Sequence, residues 1–217
     1  MSLQTRAAQS DSEADQAYVV AFANRDVEVQ NWALGTTYHR IKVPSPALAD
    51  AVLAHWPKDA GFVANAVVTW RLHAAAPIIG KTLTTSGDGN ERALAAMALG
   101  GTGDLTYLPV LRKVASSDTD GWARALAYDG IMYMLGPGSL GDLRRGAKDS
   151  EEKVRAQVVV DSYNLLELDG PDRRSPPASN TLIAEVRAFL TEMQRDPARL
   201  VSDNAKSMLA LIARHRP

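Results

Sequence analysis

Two aspartates, Asp129 and Asp161, stand 32 residues apart on apolar-striped segments that read as the first helices of adjacent units. Stacked side by side, those helices bring two carboxyls together, and neighbouring carboxyls split their pKa values in the way that acid and base chemistry needs. The plainer expectation is that each one caps or hydrogen-bonds a neighbouring turn, or points to solvent. Other chemical signals are fragments. Gly80-Lys81-Thr82 matches the end of a phosphate-binding loop, but Ala75 replaces its first glycine and an alanine-rich helix replaces the strand that the loop must follow. Gly138-Ser139-Leu140-Gly141 has Pro137 where a nucleophile elbow needs glycine, so Ser139 reads as a helix N-cap. Asp118-Thr119-Asp120-Gly121 imitates part of a calcium loop, yet Ala127 occupies the place of the closing glutamate, leaving an inter-repeat turn. His39, His55, His73 and His215 form no i, i+4 pair with one another. No catalytic, cofactor-binding or metal-binding residue is assigned.

The elements that carry these residues are helical. Residues 90–118 read as a helical hairpin: Ala95, Ala98 and Leu99 form one stripe, Gly100 to Gly103 break it, and Leu108, Leu111 and Val114 form the next. Leu99 and Leu111 are expected to face each other. Such a hairpin cannot bury its apolar stripe alone, so it needs similar neighbours on both sides. The period repeats. Arg92, Arg124 and Arg155 recur at intervals of 32 and 31 residues, and Pro77 precedes Pro109 by 32. Upstream, Ala33-Leu34-Gly35 restates Ala98-Leu99-Gly100, and Ser45-Pro46 starts a helix that buries Leu48, Val52 and Leu53. A capping helix is expected from Ser12, with residues 1–11 as a disordered leader and 12–217 as a single repeat domain. Downstream, Leu182, Val186, Phe189, Leu190 and Met193 mark one helix, and Val201, Ala205, Met208, Leu209 and Ile212 mark a terminal one. Between 153–168 and that pair, Gly170 to Pro177 is expected to be the most mobile internal segment.

The central copy resembles a HEAT-like repeat, in particular the short bacterial, phycobilisome-lyase type. Arg92, Ala95, Ala98, Leu99, Gly100, Gly103, Asp104, Leu108, Pro109 and Leu111 carry the resemblance. It implies an all-α fold, a right-handed α-solenoid of about five to six helical hairpins, whose second helices line a concave binding face. It also implies that the helix-start arginines form a structural ladder with turn aspartates such as Asp104. Most relatives of that kind hold partners, while some act as chromophore lyases or DNA glycosylases, and an enzyme of that sort is the alternative function.

Composition narrows the choice. The chain has 217 residues, no cysteine and a formal net charge of -1, which removes disulfides, thiolate sites and any overall pull toward nucleic acid or membrane. No window supplies the roughly 18 apolar residues of a membrane span. The cellular compartment stays open. Within this near-neutral chain, Leu111-Arg112-Lys113 and Leu143-Arg144-Arg145 occupy equivalent second-helix positions, with Lys81 in line with Lys113 and Arg187 on the following second helix. The expected function is therefore a non-catalytic scaffold without a cofactor. Lys81, Arg112, Lys113, Arg144, Arg145 and Arg187 would form a basic row for a protein or acidic peptide. The competing expectation is that these are solvated charges paired with acids such as Asp142.

Overall fold

A computed structural model describes the backbone of residues 3–167 and 178–215, and the side chains of 12–166 and 178–214. The helices are α1 (Leu3–Phe22), α2 (Val27–Arg40), α3 (Pro46–Leu53), α4 (Ala60–Trp70), α5 (Ala76–Thr85), α6 (Gly89–Thr102), α7 (Leu108–Ser117), α8 (Gly121–Leu135), α9 (Leu140–Gly146), α10 (Glu152–Glu167), α11 (Asn180–Met193) and α12 (Arg199–His215). There is no strand among the described residues. The fold is an all-α solenoid. Its first helices α2, α4, α6, α8, α10 and α12 pack in succession into one layer, while α3, α5, α7, α9 and α11 lie between them in the chain. The segment 170–177, expected to be mobile, lies outside the described residues.

Local chemistry explains the boundaries. Asp88 and Asp120 accept backbone N–H groups at the starts of α6 and α8, and Ser45 and Ser179 do so for α3 and α11, satisfying donors that a helix start leaves unpaired. Pro77 and Pro109 sit in the first turns of α5 and α7, where the missing N–H costs nothing. α6 ends at Gly103, whose φ of 70° suits a residue without a side chain. α1 begins at Leu3, so helical backbone runs through the stretch expected as a leader, and Ser12 lies inside the helix rather than capping it. Glutamine, alanine and arginine in that stretch are all good helix formers.

Leu99, Leu111, Ile131, Leu143, Leu165 and Leu190 are fully buried, each worth roughly 1.5–3 kcal/mol of burial. The first-helix layer is packed to backbone contact. A Cβ on Gly100 would lie 2.1 Å from the carbonyl oxygen of Gly130, and one on Gly130 would lie 2.3 Å from that of Ala96, so α6 and α8 approach only because both positions lack side chains. One expected pairing differs. α7 lies chiefly against α8, and α5 against α6, so each of these second helices leans on the next repeat rather than closing a self-contained hairpin. The reason is in the connections: a glycine turn and a 3₁₀ segment, Leu105–Tyr107, separate α6 from α7, whereas only the residues between Ser117 and Gly121 join α7 to α8.

Candidate functional site

The arginine ladder forms, with different rungs from those expected. Arg92 donates Nε and Nη2 to Asp118 at 2.8 and 2.7 Å, and Nη1 to the Ser86 carbonyl. Arg124 repeats the pattern on Asp149 and the Asp118 carbonyl and adds Glu151, while Arg155 repeats it on Asp196 and the Asp149 carbonyl. Each guanidinium thus pins the turn before its own helix to the turn one repeat further on. Asp104 is not a rung; it accepts hydrogen bonds from Thr106. The hydrogen bonds from Arg92 and Arg155 are the largest influence on Asp118 and Asp196 and hold both below the usual carboxylate range. For Asp149 burial pushes upward, and the bonds and charge of Arg124 outweigh it. These arginines are structural, as anticipated.

Asp129 and Asp161 are brought together between α8 and α10, but in a dry place. Asp161 is 0% exposed and Asp129 6%. Burial raises Asp129 to about 7, and burial together with the charge of Asp129 raises Asp161. Gln157 donates to Oδ1 of Asp161 at 2.8 Å, while Oδ2 receives no N–H or hydroxyl from another side chain or the backbone. Its natural partner is a carboxyl proton shared with Asp129. Both carboxyls are buried, and neither caps a turn or faces solvent.

The remaining fragments also resolve. Gly80, Lys81 and Thr82 lie inside α5, and the Thr82 hydroxyl accepts from Trp56. Ser139 precedes α9 but turns its hydroxyl back to the Gly136 carbonyl at 2.7 Å instead of capping. Asp118 and Asp120 belong to the turn between α7 and α8, with Asp120 as the cap of α8. Among the described residues no three potential ligands cluster around a metal position, and no helix is long and apolar enough to cross a membrane.

The basic residues lie on successive second helices. Lys81 on α5, Lys113 on α7, and Arg144 and Arg145 on α9 are exposed, as is Arg112, while Arg187 on α11 is half-buried. Lys81 and Lys113 make no ion pair among the described residues. The arginines are anchored. Arg112 donates Nε and Nη2 to Asp142 of the next repeat at 3.1 and 3.0 Å, and Arg145 donates Nη2 to the same carboxylate, which is itself buried. Arg144 lies 5.5 Å over the Phe189 ring and 3.8 Å from Glu192, and also reaches the Glu185 carbonyl, tying α9 to α11. Pairing with acids such as Asp142 is thus real for these three, and it orients the guanidiniums without burying them.

Between α7, α8 and α9 this arrangement opens a groove of about 440 Å³ lined by Arg112, Tyr128, Asp142, Arg145, Lys148 and Asp149 among others. Tyr128 and Lys148 escape a reading by repeat spacing, because they join Arg112 and Arg145 only once α7 leans on α8. The ring of Tyr128 passes under Gly146, where a Cβ would meet it at 2.8 Å. Burial raises its phenol above the ordinary value, and the charge of Asp149 adds to that.

Residues 76–163, which carry this groove and the three ladder arginines, match the family described as HEAT repeats. No curated protein matches the chain.

Proposed function

We propose that this chain, which carries HEAT-like repeats over residues 76–163, is a non-catalytic scaffold that holds an acidic segment of a partner protein against its second-helix face. HEAT repeats commonly serve as protein-interaction scaffolds and are typically non-catalytic. One observation carries the finer reading: exposed cations stand on three successive second helices, and their arginines are fixed in place by Asp142 and Phe189. Preset guanidiniums lose little side-chain freedom on meeting a carboxylate, so complementarity is converted into affinity rather than into ordering. On a chain of net charge -1, the clustering gives one face a sign of its own.

Arg112 is a poor site for charge reversal, because a glutamate there would face the buried carboxylate of Asp142. Lys81 and Lys113 are better. With both changed to glutamate, the fold should persist by circular dichroism, and a short fluorescent glutamate-rich peptide should bind about tenfold more weakly, a change of about 1.4 kcal/mol. High salt should shrink the difference. Equal affinity for the parent and the double variant would remove the basic row from the account.

A further inference from the structure

We infer that the groove between α7 and α9 is a pocket for a phosphate monoester, so that the partner segment is a phosphorylated one. This rests on the scaffold reading above and names the chemistry at its centre.

Three cations, Arg112, Arg145 and Lys148, line the groove together with two carboxylates, Asp142 and Asp149. Asp149 is committed to Arg124 through two hydrogen bonds of 2.8 and 2.9 Å. Asp142 offsets one of the three cations, leaving a formal excess of two positive charges. A phosphate monoester carries about −1.5 to −2 at neutral pH, whereas a glutamate or aspartate carries one negative charge. The excess therefore fits the phosphate and is only half met by a carboxylate.

Donor geometry points the same way. Arg112 engages Asp142 through Nε and Nη2, which leaves Nη1 uncommitted, and Arg145 engages it through Nη2. One buried carboxylate thus fixes two guanidiniums while leaving N–H groups on each for a second anion. Lys148 adds an ammonium with no ion pair among the described residues, and the Tyr128 phenol has no hydrogen-bond partner among them. Tetrahedral phosphate accepts from several directions at once and suits such a convergent set better than a planar carboxylate does. A volume of about 440 Å³ admits a phosphorylated side chain.

The test compares two short fluorescent peptides identical except for one position, phosphoserine in the first and glutamate in the second. At pH 7.5 the phosphopeptide should bind at least about tenfold tighter. Lys148→Ala and Tyr128→Phe should each remove several-fold of that advantage by weakening phosphopeptide binding more than glutamate-peptide binding. No histidine lines the groove, and the second phosphate ionisation lies near pH 6. The advantage should therefore fade by pH 5.5, with the glutamate peptide reporting any change in the protein itself. Inorganic phosphate should compete with the phosphopeptide for the groove. Equal binding of the two peptides, or an advantage that survives both substitutions together, overturns the inference. If the glutamate peptide binds and responds to the Lys81 and Lys113 changes while phosphate confers nothing, the phosphate pocket falls and the basic face stands. If neither peptide binds, both fall.

Discussion

Arg124 and Arg145 are chemically identical side chains put to opposite uses. Arg124, 11% exposed, commits Nε, Nη1 and Nη2 to Asp149, the Asp118 carbonyl and Glu151. Arg145, 63% exposed, commits one nitrogen to Asp142. The difference follows from the layer each belongs to. First helices stack to backbone contact, as at Gly100 and Gly130, so a polar group there is satisfied internally or stays costly. Second helices lean on the next repeat and leave their outer faces open, so a cation there retains donors for something else. Position in the stack, more than residue type, separates the structural arginines from the available ones.

The contrast is sharpest in the core and fades outward. Leu99→Ala, in the first-helix layer, should destabilise by roughly 4 kcal/mol because Leu99 is fully buried among close-packed neighbours; an unmoved urea midpoint would show that the layer is loosely packed. Arg124→Ala should cost roughly 3 kcal/mol by leaving Asp149 without its cation, while Glu151 keeps Lys153. Arg145→Ala should cost under about 1 kcal/mol, since it is exposed and Asp142 keeps Arg112. Similar losses for the two variants would erase the distinction between the layers.

The carboxyl pair supplies a change of opposite sign. With Asp129 raised to about 7, the native state holds a proton that the unfolded chain releases above its ordinary carboxyl pKa near 4. Stability contributed by this pair is therefore fully present below about pH 4 and declines as pH rises toward 7. Asp118, Asp149 and Asp196, all held low, contribute the opposite slope, confined below about pH 4. Asp129→Asn should flatten the decline and raise stability at pH 7.5 by roughly 2 kcal/mol; a slope unchanged from the parent would mean the pair does not titrate in that window. The smallest effect belongs to the open face. Lys81→Glu with Lys113→Glu should alter stability by less than about 0.5 kcal/mol, measured by the same urea titration.

Repeat spacing was enough to place most of the helices and to bring Asp129 beside Asp161, while the structural role of Arg92, Arg124 and Arg155 came from the resemblance to HEAT-like repeats. It misassigned what those arginines hold, because Asp104 lies nearer in the chain whereas Asp118, Asp149 and Asp196 lie one turn onward in space. A pattern within the sequence marks the true partners: Asp118 and Asp149 each stand six residues before a helix-start arginine, the same spacing that lets Nη1 reach their carbonyls. The groove was less legible. Hydrophobic periodicity describes which face of a helix is buried but not which neighbour covers it, and the leaning of α7 onto α8 is what gathers Arg112, Tyr128, Asp142 and Arg145. Exposed aromatics show the same limit. Trp56 and Trp70 are buried, whereas Trp32 and Trp122 are 58% and 39% exposed, with Trp56 in the turn between α3 and α4 and the other three on helices.

Those exposed aromatics define the rival surface, and mapping the two against each other tests the account most directly. In a backbone-amide NMR titration with the glutamate-rich peptide, the largest perturbations should fall on α5, α7 and α9, around Lys81, Lys113, Arg144 and Arg145, and should weaken with added salt. Perturbations centred instead on Trp32 and Trp122 of the first helices, insensitive to salt, would contradict the claim that the second-helix face is where this protein meets its partner.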